Sequence, residues 1–133
     1  DFIAWLKAWP GHKVFVIHSN HANEIDVQVE QAIKNMASTG TTILNQAVML
    51  KGVNDCPETL VDLSQRLFNC GVLPYYLHLL DPVNGAAHFS ISDARAKHIM
   101  GEVAGLLPGY LVPKLVRELA NKKSKTLILP TES

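Results

Sequence analysis

A short apolar strand, a polar loop and an amphipathic helix follow one another three times along this chain. The strands are predicted at residues 14–17, 41–49 and 72–80. Apolar residues at helical spacing follow each strand, and Gly40 and Gly71 stand where the first two helices should end. Repeated βα units predict parallel strands joined by right-handed crossovers, which is an α/β fold.

The end of the chain departs from this pattern. Residues 111–118 and 126–129 are predicted strands, and a polar turn at residues 121–124 lies between them. This segment is predicted to form a closing β-hairpin with Lys125 near its bend. Three βα units cannot close an eight-stranded barrel, and they leave a free parallel edge that proteins normally cover. The chain is therefore either a small open α/β domain or one half of a barrel.

The composition fits one globular domain with a small-molecule or protein partner. The chain has 133 residues, of which 47% are hydrophobic, and its twelve basic and twelve acidic side chains cancel. A net charge of zero gives no field that would attract nucleic acid or an anionic membrane.

No apolar run approaches the roughly 20 residues of a membrane helix, and the first residues lack the layout of a signal peptide. We therefore expect the protein in the cytoplasm. Cys56 and Cys70 match no CxxC or Cys/His zinc spacing, so Cys70 is predicted to be a core thiol and Cys56 a loop thiol.

Polar side chains collect in or after the predicted strands. Because the carboxyl ends of parallel strands meet at one edge, these groups are expected to converge on a ligand site. They are His18, Ser19, Asn20, His21, Asn23, Glu24, Gln46, Asp81 and His88.

Several of these residues have a structural as well as a functional interpretation. His18 and His21 have the spacing of metal or cofactor ligands, but they also precede a helix that they can cap, and for His21 we favour capping. His78 and His88 are acid/base candidates or structural histidines. Tyr75 and Tyr76 are expected to point to opposite faces of their strand, so that at most one lines the interior.

Asp81 and Lys125 are candidates for a charged binding or catalytic group, and from the residues alone Asp81 is the stronger of the two. Asp81 directly follows an apolar strand, so its carboxylate needs a cation, hydrogen-bond donors or water. Lys125 belongs to a basic turn, but it also directly precedes an apolar segment that can bury its stem and lower its pKa. A buried lysine amine is what a carbonyl cofactor requires, although from spacing alone an exposed basic turn is the favoured interpretation of the same residues.

Five motifs, in order along the chain, resemble the lysine 2,3-aminomutase family. The variant with Ser-Asn-His-Ala-Asn-Glu and Tyr-Tyr-Leu-His is similar to the branch that makes (R)-β-lysine for modification of elongation factor P. The resemblance extends from about Lys13 to Pro130. The motifs lie at residues 18–25, 44–55, 74–81, 85–89 and 109–113.

This resemblance implies a partial (β/α) barrel of the radical S-adenosylmethionine type, of which this chain is the C-terminal half. It implies three cofactors: S-adenosylmethionine, pyridoxal phosphate and a [4Fe-4S] cluster. The reaction implied is the migration of an amino group in lysine. The cofactors carry the radical steps, while the protein holds geometry and excludes water.

The resemblance also implies roles for individual residues. His18 and Gln46 match residues near S-adenosylmethionine, and Lys125 matches the lysine that binds pyridoxal phosphate, within a segment at about 111–130. Asp81 matches an aspartate that binds the ε-ammonium of the substrate. Glu118 stands where free-lysine mutases carry a second aspartate, and its extra methylene moves the carboxylate by roughly 1.5 Å.

The CxxxCxxC cluster motif of the family is absent from this chain, and two cysteines cannot ligate a [4Fe-4S] cluster. We therefore expect the chain to need the N-terminal half of the barrel and to be inactive alone, with open edges that favour self-association. Two alternatives stay open at this point. One is a degenerate half-barrel that binds an amine or acts as an interaction module, and the other is an aminomutase for another amino acid.

Overall fold

A five-stranded sheet organises the protein in the computed structural model, which describes residues 1–80, 87–118 and 125–128. The strands follow one another across the sheet in chain order, β1 to β5. β1 to β4 are parallel, and β5 pairs with β4 in the antiparallel direction. Their bounds are Val14–His18 (β1), Thr42–Met49 (β2), Val72–Leu79 (β3), Lys114–Glu118 (β4) and Lys125–Leu127 (β5).

The helices begin and end at local signals in the sequence. The side chains of Asp26 and Ser92 accept hydrogen bonds from backbone N–H groups in the first turns of α2 and α4. Gly40 and Gly71 follow α2 and α3 with φ of +82° and +86°, a conformation that favours glycine. The helices are Phe2–Ala8 (α1), Val27–Ala37 (α2), Pro57–Asn69 (α3) and Asp93–Leu106 (α4).

The core lies between one face of the sheet and the helices. Residues of β2 alternate between buried and partly exposed, and Ile43, Ala47 and Met49 are the buried apolar ones. They pack in one cluster with buried residues of the helices, among them Ile33 of α2 and Leu67 of α3. This alternation is the period of two that a strand imposes on its side chains.

Most of the predicted elements are present, and the tail differs in detail. The three βα units and the hairpin formed by β4 and β5 agree with the sequence pattern. The strand predicted at residues 111–118 begins only at Lys114, and Leu111 lies instead in the 3₁₀ turn Gly109–Leu111, because Pro108 and Pro113 restrict the backbone on either side. β4 then joins β3 as a fourth parallel strand.

Helix α1 was not predicted from the sequence. It is only seven residues long, and Asp1 caps it by accepting a hydrogen bond from the Ala4 N–H at 2.8 Å. Leu6 is its buried residue. Within the described ranges, no helix has the length and apolar character needed to cross a membrane.

Candidate functional site

One face of the sheet, here called the open face, lies opposite the helices. His18 ends β1 and is exposed there, and Gln46 of β2 is its register partner and is partly exposed. Tyr76 of β3 and Lys114 of β4 continue the same row across the sheet. Neighbouring strands lie about 4.8 Å apart, so adjacent side chains of this row can contact one ligand.

Asn45 fixes the exit of the chain from β1. Its side chain is 2% exposed, and its Oδ1 accepts from the Ser19 N–H at 2.9 Å while its Nδ2 donates to the Ser19 carbonyl at 3.0 Å. This pair of bonds satisfies the backbone of a buried residue directly after His18. Asn45 therefore positions His18 relative to Gln46, the next residue of β2.

Asn54 connects the loops that follow β1 and β2. It is fully buried, and its Nδ2 donates to the carbonyls of Asn20 at 2.8 Å and Val48 at 2.9 Å. Its Oδ1 accepts from the Leu50 N–H at 2.7 Å. The Asn20 side chain completes the connection by accepting from the Val48 N–H at 2.9 Å.

His21 caps a turn. Its Nδ1 accepts a hydrogen bond from the Asn23 N–H at 3.1 Å, at the start of the 3₁₀ turn Ala22–Glu24. The favoured structural interpretation of this histidine is thus confirmed. No group of three or more His, Cys, Asp or Glu side chains suited to a metal ion occurs within the described part of the chain.

A β-bulge changes the orientation predicted for two tyrosines. The pairing of β2 with β3 shifts between Asn45 and Gln46, so Tyr75 is an extra residue between the partners Pro74 and Tyr76. The two phenol rings lie 4.0 Å apart, and their hydroxyls are 3.3 Å apart. The prediction that they point to opposite faces is therefore wrong, because strict alternation ends at a bulge.

The tyrosine pair forms part of the open face. Leu77 and Leu79 alternate with Tyr76 and point into the core, so Tyr76 points away from the helices. The ring of His78 packs against Tyr76 with centroids 5.8 Å apart, and Lys114 Nζ lies 5.9 Å from the centre of the Tyr75 ring. A cation over a ring face at this distance is attractive.

Glu118 and Lys125 are Cα partners across the antiparallel pair of β4 and β5. Such a pairing brings two Cα atoms to about 4.5–5.5 Å of each other. Asp81, predicted to bind an ammonium, lies outside the described residues. His88, an acid/base candidate, is exposed in the 3₁₀ turn Ala87–Phe89, and its ring lies 5.5 Å from that of Phe89.

The two cysteines do not fit an iron-sulfur cluster. Cys56 and Cys70 flank opposite ends of the 13-residue helix α3, which is about 20 Å long. Cys70 is 2% exposed, which confirms the prediction of a core thiol, and burial raises the pKa of this thiol. Cluster iron needs thiolates that converge on one point, which this pair cannot provide.

Sequence reasoning did not identify Asn45 and Asn54 as positioning residues. Asn45 is a polar residue inside the apolar strand predicted at residues 41–49. A buried amide needs partners for both its donor and its acceptor, so an asparagine inside an apolar run is itself a signal of backbone hydrogen bonding. The bulge at Tyr75 has a weaker signal in the sequence. Pro74 lies inside a predicted central strand, and proline occurs in such strands mainly at bulges.

The architecture has the fold of radical S-adenosylmethionine enzymes. A radical SAM methyltransferase from Sphaerobacter thermophilus superposes on 87% of this chain with a TM-score of 0.61 and 16% sequence identity. The superposition covers 37% of that enzyme. The predicted α/β fold of this type is confirmed, and the five strands of the described residues form an open sheet.

The sequence is homologous to the lysine 2,3-aminomutase family, which confirms the resemblance seen in the motifs. The chain is 53% identical over 113 residues to the L-lysine 2,3-aminomutase of Escherichia coli, and 53% identical over 127 residues to that of Haemophilus influenzae. These alignments cover 85% and 96% of the chain. A glutamate 2,3-aminomutase from Clostridioides difficile is 31% identical over 131 residues.

The chain spans about a third of the length of these relatives. The alignments cover 33% of the E. coli protein and 38% of the H. influenzae protein. No family model matches the chain.

Proposed function

We propose that this chain is the C-terminal half-barrel of a radical S-adenosylmethionine, pyridoxal-phosphate-dependent L-lysine 2,3-aminomutase. The observation that carries the proposal is the 53% identity to two L-lysine 2,3-aminomutases over most of the chain. The cross-strand partnership of Glu118 and Lys125 supports it, because it brings an acidic and an amine-bearing residue together at one end of the sheet.

The residues of this chain have binding and positioning roles in the proposal. Lys125 would hold pyridoxal phosphate, and Asp81 and Glu118 would bind the ε-ammonium of lysine. His18 and Gln46, adjacent on the open face, would contact S-adenosylmethionine. When bound, these cofactors supply the radical and the electron sink that the protein lacks.

The iron-sulfur cluster would be bound outside this chain, since Cys56 and Cys70 cannot ligate it. We propose that the rest of the relatives' length supplies the cluster ligands and the remaining barrel strands. The product would be (R)-β-lysine for modification of elongation factor P, formed in the cytoplasm. The motif Ser19 to Glu24 and the Tyr-Tyr-Leu-His segment support this branch of the family.

The test is covalent labelling of the product of the longest native reading frame that contains this chain. The protein is incubated with pyridoxal phosphate, reduced with borohydride, digested and analysed by mass spectrometry. We expect one pyridoxyl group on Lys125, which Lys125→Arg abolishes and Lys123→Arg leaves in place. Absence of a label, or a label spread over Lys122 and Lys123, would contradict the proposal.

A second candidate function is an aminomutase for a different amino acid. The similarity to a glutamate 2,3-aminomutase favours considering it, although that identity is 31% against 53% for the lysine enzymes. The acidic residues Asp81 and Glu118 suit a cationic side chain and repel a carboxylate. Comparing lysine, ornithine and glutamate as substrates of the full-length protein separates the two functions.

A further inference from the structure

The parallel pairing of β3 with β4 ends at Arg117, whose register partner is Leu79. Glu118 is the next residue, and among the described residues it pairs only with Lys125 of β5. β5 itself has three residues, Lys125–Leu127. Because a short two-stranded pairing is weak by itself, it fixes the end of β4 poorly. The position of Glu118 therefore depends on what holds Arg117.

The side chain of Arg117 connects the end of β4 with helix α4. Leu79 points into the core, so its partner Arg117 lies on the helix-bearing side of the sheet. There, Arg117 Nη2 donates a hydrogen bond to Asp93 Oδ1, in the first turn of α4. The helix dipole stabilises a carboxylate in a first turn, which favours the ionised form of Asp93 as the acceptor.

Helix α4 is a firm support for this contact. Its N-cap residue Ser92, directly before Asp93, accepts a hydrogen bond from the Arg95 N–H at 3.2 Å. One face of the helix packs in the core through the buried residues Ala96, Ile99, Met100 and Val103. A capped helix that packs in this way holds its first turn in place relative to the sheet.

Stability alone does not explain an arginine at this position. The side chain of Asp93 is 51% exposed, and an ion pair with such a partner contributes little because water screens it. Within the described ranges, Arg117 Nε is buried without a hydrogen-bond partner, which costs free energy. An apolar residue of similar size would fill the position without this cost.

We propose that Arg117 is a positioning residue that holds the end of β4 on α4 and thereby fixes Glu118 opposite Lys125. This inference rests on the proposed function, in which Glu118 binds the ε-ammonium of lysine. A carboxylate in a fixed position selects the length of the substrate side chain, whereas a mobile one also accepts a shorter amine. Arg117 thereby contributes to the choice of lysine over ornithine, which is one methylene shorter.

The test compares Arg117→Met and Asp93→Asn with the wild type, using the product of the longest native reading frame loaded with its cofactors. The KM for lysine and the inhibition constant of ornithine give the preference between the two amines. We expect both variants to lower this preference about tenfold, the order of discrimination that one methylene supplies. The KM for S-adenosylmethionine and the pyridoxyl label on Lys125 should stay unchanged.

Glu102→Gln is the matched control for Asp93→Asn. It also removes a carboxylate from α4, but the ion pair of Glu102, with His98 at 2.9 Å, lies within the helix. Its preference for lysine should equal that of the wild type. Arg117→Lys keeps a cation for Asp93 and should recover most of the preference that Arg117→Met loses.

A merely structural defect would raise the KM for lysine and the inhibition constant of ornithine by the same factor. An unchanged preference in Arg117→Met and Asp93→Asn, beside a wild type that converts lysine, would overturn this inference and leave the proposed function standing. An equal loss of preference in Glu102→Gln would overturn it too, because the effect would then come from the charge of α4 in general. A wild type that converts no lysine would contradict the proposed function and this inference together.

Discussion

The side chain of Asn54 connects the loop after β1 with the end of β2 and the residue that follows it. It satisfies the Leu50 N–H and the carbonyls of Asn20 and Val48, and it has no exposure to solvent. These backbone groups belong to two segments far apart in the sequence, the loop after β1 and the end of β2 with Leu50. The Asn54 side chain, together with that of Asn20, therefore fixes the relative position of the segments after β1 and at the end of β2.

Replacing Asn54 by alanine should destabilise the protein by about 3 kcal/mol, since three partly buried backbone groups lose the side chain that pairs with them. Urea unfolding followed by circular dichroism measures this change. The control is Asn35→Ala, because Asn35 is exposed and its Oδ1 only accepts from Gln31 on the same helix. A loss for Asn54→Ala no larger than the roughly 0.5 kcal/mol typical of surface substitutions would contradict this role.

At the scale of elements, glycines with positive φ determine where helices end. Gly71 has φ of +86° between α3 and β3, and a Cβ there would meet only the Cβ of Ala37, at 3.9 Å. Space is therefore not the limitation at this position. The backbone conformation limits substitution there, since a positive φ costs residues other than glycine roughly 1–2 kcal/mol.

We expect Gly71→Ala to lower the free energy of unfolding by about 1 kcal/mol. Gly105→Ala is the matched control, because Gly105 lies inside α4 with nothing within 4 Å of the added methyl group. That substitution should raise stability by about 0.5 kcal/mol through helix propensity. Equal effects of both substitutions in chemical denaturation would contradict the assignment.

An ion pair connects α2 with α3. Arg66 Nη1 donates to Glu30 Oε1, and Arg66 Nη2 donates to the Ile25 carbonyl at 2.9 Å. The hydrogen bond from Arg66 lowers the pKa of the Glu30 carboxyl below its usual value of 4.5. The contribution of this carboxylate to stability is thus present above pH 4.5 and is lost as the pH falls through the lowered pKa.

The difference in unfolding free energy between the wild type and Glu30→Gln should therefore be constant above about pH 5 and shrink under more acidic conditions. Urea titrations at a series of pH values measure it. Glu58→Gln is the control, because Glu58 is exposed and forms no ion pair within the ranges described. A difference that grew on acidification would have the wrong sign for a lowered pKa.

At the scale of the whole molecule, the proposed function predicts that the 133-residue chain is inactive alone, because its sheet is open and its two cysteines cannot ligate a [4Fe-4S] cluster. The 133-residue chain should not take up a [4Fe-4S] cluster on anaerobic reconstitution, and it should not convert lysine to β-lysine. The full-length reading frame should do both. β-Lysine formation by the purified chain alone, detected by mass spectrometry, would contradict the assignment of the cluster to other parts of the protein.

Local patterns in the sequence predicted much of this architecture. Apolar periodicity gave three strands and three helices, and Ser92 and Gly71 marked helix ends that the structure confirms. Helix α1 was missed because seven residues are too few for a periodic signal to stand out. The position of Asp81 directly after an apolar strand identified it as a candidate, whereas Glu118 and Lys125 depended on family resemblance, since charge and spacing alone favoured an exposed basic turn around Lys125.

The sequence by itself determined the α/β class and the collection of polar residues after the strands, because periodicity and turn signals act between residues close in the chain. Only the tertiary structure decided that Tyr75 joins Tyr76, that Asn54 connects two loops, and that Glu118 opposes Lys125. Each of these depends on register or hydrogen bonding between segments that meet only in the folded chain. The physical reason is that a strand's hydrogen-bond partners, which set its register and bulges, are supplied by its neighbours in the sheet.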